Sequence, residues 1–252
     1  MKQHSLFTSL LLHLLPGIPI IAGIFLFAKP VFTNFFGINE NLGPLLGFLM
    51  GVAIFLIPVQ LGILLIASKM ETGKINIRAV INYTEHSPLK NYFIIIPILI
   101  IYSLILFAVV APLIQPFFIN TFFYWWPEEF NFQNLFQDPT VLAGYNGIKV
   151  LLLLYILLAC LFGPFVEELY FRAYLLPRMK SYAGKWAPLI NAVLFSLYHF
   201  FSPWENLIRI LAITPMTYVV WKNRNIRFGI IIHLFLNTIG GIMMLIMITN
   251  NS

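Results

Sequence analysis

The 252-residue chain predicts an all-α fold, a polytopic transmembrane helical bundle of about seven spans, or eight if one is broken. Three observations carry this expectation. The residues are 60% hydrophobic and only 10% charged, where soluble domains carry about 25% charge, and mean hydropathy is +0.88. Apolar runs of roughly 20 residues, long enough to cross a bilayer, recur along the chain. Lysine and arginine fall in short clusters between those runs, as they do where charge sets membrane orientation. No sizeable soluble domain fits in what remains, so residues 1–252 read as one integral membrane domain.

The expected spans, in order, are Leu6–Ala28, Leu42–Ala67, Tyr92–Phe118, Ile148–Leu176, Trp186–Phe201, Leu207–Trp221 and Phe228–Ile248. Lys2 precedes the first run and no A-x-A cleavage signal follows it, so this run reads as a retained span. Pro16, Pro19, Pro58, Pro97, Pro112, Pro164 and Pro215 interrupt several runs. In lipid they predict kinks rather than ends, because neighbouring helices can satisfy the freed carbonyls. There is no internal repeat and no low-complexity tract.

The net charge of +6 does not indicate nucleic acid, because the basic residues punctuate apolar runs. Lys69, Lys74, Arg78 and Lys90 follow the second span, Arg178, Lys180 and Lys185 the fourth, and Lys222, Arg224 and Arg227 the sixth. The connection 119–147 contains neither lysine nor arginine. Seven crossings with this alternation place the N-terminus in the cytoplasm and the C-terminus outside. The same connection is rich in aromatics (Phe122, Phe123, Tyr124, Trp125, Trp126, Phe130, Phe132, Phe136) and reads as an interfacial belt, a partly inserted loop or a substrate lid.

Ionisable groups inside a span are costly and usually functional. Glu167 and Glu168 lie in the fourth apolar run, with Glu167 eleven residues before Arg178, about 16 Å deep at the helical rise. Glu168 and Arg172 are spaced i,i+4 and can pair. Glu167 points about 100° away, free to face another group. His199 ends the stretch Phe195-Ser196-Leu197-Tyr198-His199, deep in the fifth span, with Phe195 one turn earlier; His233 and Asn237 share a face of the last span. A carboxylate and an imidazole can hold and deprotonate one water, while a second imidazole and a carboxamide can donate to an oxyanion. Glu167, His199 and His233 could instead be three zinc ligands with one open position, although there is no H-E-x-x-H. No G-x-S-x-G offers a serine nucleophile.

The remaining candidates read as structural. His4 and His86 lie outside spans where solvent suffices, and His13 stands alone with no partner four residues away. Glu128–Glu129 lack a basic i+4 partner and read as solvated. Cys160, the single cysteine, reads as a small core or lipid-facing residue.

Three motifs in order, E-E-x-x-x-R at Glu167-Glu168…Arg172, F-x-x-x-H at Phe195…His199 and H-x-x-x-N at His233…Asn237, resemble the CPBP family of intramembrane proteases. These are CAAX-prenyl-protease-like and bacteriocin-processing or immunity proteins, also called the Abi family. The resemblance covers roughly 145–245, the core it implies to be catalytic; the three spans within 1–118 carry no matching motif. It implies an endopeptidase whose active site lies within the bundle and whose partner is a membrane-associated peptide or protein. Glu167 and His199 would activate water, His233 and Asn237 would form the oxyanion site, and Glu168, Arg172 and Phe195 would support them. Ala173 departs from the glycine that often follows the arginine, which touches packing more than chemistry. A cofactor is not required in this reading, and divalent zinc is the alternative. The other functional classes are a non-catalytic immunity or scaffold protein and a proton-relay transporter without evident repeats. Richness in Ile, Asn, Lys and Phe favours a bacterial plasma membrane.

Overall fold

The computed structural model describes residues 2–37, 42–127 and 147–250. Among them helices are the only extended elements, joined by turns and irregular connections, with a single isolated antiparallel bridge between Thr84 and Asn225. The α-helices are α1 (Leu6–Leu14), α2 (Gly17–Phe27), α3 (Leu42–Met50), α4 (Ile57–Thr72), α5 (Leu89–Ile105), α6 (Ala111–Phe122), α7 (Ile148–Tyr155), α8 (Gly163–Glu167), α9 (Lys180–Ala183), α10 (Ala187–Leu197), α11 (Asn206–Asn223) and α12 (Arg227–Asn250). Five helical segments are long and apolar enough to cross a bilayer: Leu6–Phe35, Leu42–Thr72, Leu89–Phe122, Ile148–Leu197 and Arg227–Ile248. The protein is therefore an integral membrane protein. Phe93, Ile94, Ile98 and Ile101 on α5 are exposed, and lipid is the solvent that such a face suits.

Two expected spans do not stand by themselves among these five. Trp186–Phe201 resolves into α10, whose 11 residues reach only about 16 Å. It is continuous in sequence with the preceding segment, which turns at Gly184, with φ of +52°. Helix α10 ends at Leu197, so His199 lies beyond the helix rather than deep within it. Apolar character continues to Phe201, but Ser202 and Pro203 begin a new turn, and proline has no N–H to extend the old one. Leu207–Trp221 corresponds to α11, whose Arg209 and Lys222 dilute its hydropathy.

Three of these prolines, Pro58, Pro112 and Pro164, and with them Pro177, act in a more specific way than as simple kinks, whereas Pro97 and Pro215 lie inside α5 and α11. Four of the five π-helical stretches among the described residues, Gly51–Leu56, Leu106–Val110, Ile156–Phe162 and Glu168–Leu175, end two residues before a proline, at Pro58, Pro112, Pro164 and Pro177; the fifth is Ala28–Phe35. In each case the residue preceding the proline donates its N–H five residues back: Ile57 to Val52, Ala111 to Leu106, Gly163 to Leu158 and Leu176 to Phe171. A proline ring crowds the carbonyl four residues earlier and offers it no donor. Widening the preceding turn relieves that crowding while the bonding continues in the i→i+5 pattern.

The basic connections gather at one end. The His4 amide donates to the Arg178 carbonyl at 2.9 Å, and Arg178 pairs with Glu71 at 3.0 Å. Arg224 pairs with Glu85 at 2.9 Å, beside the Ile226 amide's bond to the Tyr83 carbonyl. At the other end Met244 and Ile248 of α12 pack with Leu45, Ile148 and Leu152. The main core lies between, where Ile20, Ile24, Val52, Leu56 and Leu64 meet Tyr170, Phe171, Phe195 and Tyr198. Helix α2 and the π-helical stretch that follows α3 meet closely there, since a Cβ at Gly23 would lie 2.8 Å from the Gly51 Cα.

His13 is buried and satisfied, but it does have a partner four residues away. Its Nδ1 lies 2.7 Å from the Ser9 carbonyl and its Nε2 3.0 Å from the Asn191 amide nitrogen, which also donates to the Phe171 carbonyl at 3.1 Å. This chain of bonds fastens α1 to α10 and to the Glu168–Leu175 turn.

His4, outside the spans, is half-buried next to Arg178. Burial, reinforced by that guanidinium, pushes its pKa from the usual 6.5 down to about 4. The unfolded chain then binds a proton at this residue at a higher pH than the folded one does. We expect detergent-solubilised protein to lose stability as pH falls from 6.5 towards 4, with no further loss from this residue below that range. Thermal unfolding of His4→Gln, compared with wild type across this range, should lack that increment; identical pH profiles would contradict the assignment.

Candidate active site

Two π-helical turns flank α8, and the carboxylates lie where α8 meets the second of them: Glu167 is the last residue of α8 and Glu168 the first of the next turn. Glu167 is 6% exposed and Glu168 is fully buried. Buried carboxylates require partners, and both have them. The Tyr198 hydroxyl donates to Glu167 Oε1. His233, from α12, stands between the two acids, with Nδ1 3.0 Å from Glu168 Oε1 and Nε2 3.8 Å from Glu167 Oε2. A carboxylate only accepts, so Nδ1 carries the proton in the bond to Glu168, and Nε2 is left facing Glu167.

Arg172 Nη1 approaches Glu168 Oε1 at 3.2 Å, as the i,i+4 spacing predicts. This is an ion pair without hydrogen-bond geometry. The guanidinium lies 3.9 Å from the centre of the Phe195 ring, a second source of compensation for a fully buried cation. Phe195 also meets His199 edge-on at 5.0 Å and His233 at 5.8 Å. One aromatic plane thereby locates a cation and both imidazoles.

His199 follows the end of α10. Its Nδ1, 2.9 Å from the Phe195 carbonyl, donates to that unsatisfied helix-end acceptor and leaves Nε2 as the acceptor of the neutral ring. Its ring also packs on Tyr198, with centroids 4.1 Å apart. Asn237 lies one turn after His233 on α12, half-buried.

A cavity of about 360 Å³ is lined by Glu167, His199, His233 and Asn237 together, with Tyr198 and Phe195 among its walls. Its size falls within the range of small-ligand sites. The four residues expected to carry the chemistry therefore share one space, while Glu168 and Arg172 stand behind it. The immediate partners of Glu167 are Tyr198 and His233. Glu128 and Glu129 fall outside the described residues. No group of three or more His, Cys, Asp or Glu among the described residues is arranged to hold a metal ion.

Sequence reasoning missed Tyr198 and Gly229. Tyrosine in an apolar run reads as packing, although its place beside His199 was available as a signal. Gly229 lies one turn before His233, and a Cβ there would collide with Glu168 Oε2. Gly229→Ala should therefore displace Glu168 and, through it, His233. Tyr198→Phe removes the donor to Glu167 and should destabilise the fold by about 1–3 kcal/mol. Thermal unfolding of the purified variants checks both: Gly229→Ala at wild-type stability would contradict the close packing, and Tyr198→Phe at wild-type stability the buried bond.

Residues 149–239 match the family model described as Rce1-like, type II CAAX prenyl endopeptidase. No curated protein and no solved structure matches the chain. The matched stretch contains every residue from Glu167 to Asn237, and over it the chain is similar to the CPBP, CAAX-protease-like family of membrane peptidases.

Proposed function

We propose that the protein is an intramembrane endopeptidase that hydrolyses a peptide bond of a membrane-associated peptide or protein. What supports this reading is the meeting of Glu167, His199, His233 and Asn237 in one cavity, within a stretch similar to a peptidase family. Glu167 takes a proton from a water that His199 Nε2 also holds. The water oxygen bonds to the scissile carbonyl carbon, whose oxygen becomes the oxyanion. Asn237 donates to that oxygen. His233 donates as well when Nε2 carries a proton, and Glu168 at 3.0 Å balances the charge of the ring. The carbon–nitrogen bond then breaks, and the proton held by Glu167 passes to the leaving amine. The Tyr198 hydroxyl occupies Oε1 of Glu167, which directs Oε2 to this work.

The same reading takes the chain across the membrane seven times, with α10 and its following turns as the fifth crossing and α11 as the sixth. The basic connections share one end and the last residues of α12 pack at the other. This arrangement supports a cytoplasmic N-terminus and an outer C-terminus, and the chain's richness in Ile, Asn, Lys and Phe favours a bacterial plasma membrane. In a bacterial membrane a membrane-associated peptide or protein is favoured as substrate over a prenylated one.

Full-length protein in nanodiscs, incubated with a fluorogenic C-a-a-X peptide in farnesylated and unlipidated forms, tests the reading. Glu167→Gln keeps an acceptor for Tyr198 but cannot take a proton, and should lower kcat by about 10²–10⁴-fold without unfolding the bundle. Cleavage should survive a divalent-metal chelator. Full activity in Glu167→Gln would refute the role of Glu167, and loss of activity on chelation would contradict the metal-free mechanism.

A further inference from the structure

The segment that carries His199 is not a helix. After α10 ends, the His199 amide donates to the Ser196 carbonyl at 3.1 Å, the Ser202 amide to the His199 carbonyl at 3.0 Å, and the Glu205 amide to the Ser202 carbonyl at 3.2 Å. Such a string of short turns has no ladder to keep it in place. A base or water-holding group set on it has to be located from elsewhere, because a displacement of about 1 Å can cost 10²-fold in rate.

We infer that Arg209 is a positioning residue for His199, latching this turn across the gap between α10 and α11. Arg209 lies in the first turn of α11 and is 8% exposed. Its Nη2 donates to the Ser202 hydroxyl at 2.8 Å and to the Glu205 carboxylate. Its Nη1 donates to Asn206 Oδ1 at 3.2 Å and, at 3.5 Å, to the Ser196 carbonyl in the last turn of α10. The Ser196 hydroxyl crosses the other way, donating to the Asn206 carbonyl at 3.1 Å or its Oδ1 at 3.0 Å. One planar fork thus grips the residues before His199, those after it and the helix beyond. Lysine, a point charge, could not grip all of them in one geometry.

Energetics point the same way. A buried ion pair often contributes no more stability than apolar residues of similar volume, and a charge at membrane depth is costly. Stability alone therefore does not account for Arg209 and Glu205 on the cavity wall. Both terminal nitrogens of the guanidinium are already engaged within the protein, which suits holding a loop better than capturing a substrate.

This inference rests on the peptidase reading for its kinetic consequence but not for its structural one, and the test separates the two. Hydrogen–deuterium exchange of full-length protein in nanodiscs follows 198–206, and kinetics follow the farnesylated and unlipidated C-a-a-X peptides. Arg209→Gln should speed exchange across 198–206 while leaving α2 to α4 unchanged. It should lower kcat about 10- to 100-fold with KM within about twofold. Arg209→Lys should recover part of both, and it carries the test if Arg209→Gln fails to fold. Unchanged exchange in 198–206 would overturn the latch, as would a raised KM at unchanged kcat, which would make Arg209 a substrate contact. If wild type cleaves neither peptide, that counts against the peptidase reading, and the exchange measurement alone decides the latch.

Discussion

Two adjacent carboxylates sealed inside a lipid-facing bundle are the constraint on which the rest of this architecture turns. An uncompensated buried charge costs several kcal/mol, so each acid has to be met by a donor, a cation or both. His233 lies between Glu167 and Glu168, Tyr198 donates to the first, and Arg172 pairs with the second. These partners need support in their turn. Phe195 supplies a face to the guanidinium and meets both imidazoles in T-shaped contacts, and Gly229 gives up its side chain so that α12 can come close to Glu168. The polar centre is a chain of dependencies in which most members touch two others.

Backbone geometry feeds directly into that centre. Pro164 and Pro177 follow the two widened turns that bracket α8 and the acids. A uniformly wound helix would accumulate a different rotation along 156–175 and would aim the acids elsewhere. The prolines therefore help set which way Glu167 and Glu168 point, through a local steric conflict resolved by the turn before each of them. At the other side of the cavity a broken helix does comparable work: stopping α10 at Leu197 leaves a free carbonyl for His199 to bond and turns its ring towards Tyr198.

Much of this was legible in the sequence, at the level where composition and spacing act. Apolar runs disclosed the helices, and the i,i+4 spacing of Glu168 with Arg172 disclosed their pairing. The residues of the cavity were legible because polar groups in apolar runs stand out. What hydropathy could not disclose was where backbone bonding changes. Apolar character runs past Leu197 to Phe201, so the end of α10 was hidden although Ser202 and Pro203 were in plain view. Proline positions suggested kinks, whereas at Pro58, Pro112 and Pro164 the consequence is a widened turn just upstream. Ser9 was overlooked as the partner of His13 because its hydroxyl blends into an apolar run, and the bond in fact uses its backbone carbonyl as well. Tyr198 escaped notice since an aromatic in a span ordinarily needs no further explanation.

The central claim is that Glu167 and His233, side by side in the cavity, serve one reaction, Glu167 at the water and His233 at the oxyanion. Its most direct test is a double-mutant cycle on kcat/KM using Glu167→Gln, His233→Gln and the combined variant. Residues that act together lose their joint contribution once either is removed, so the combined variant should be no more than a few-fold worse than the poorer single one. Losses that instead multiply across the cycle would mean that the two side chains act independently, which contradicts the coupling described here.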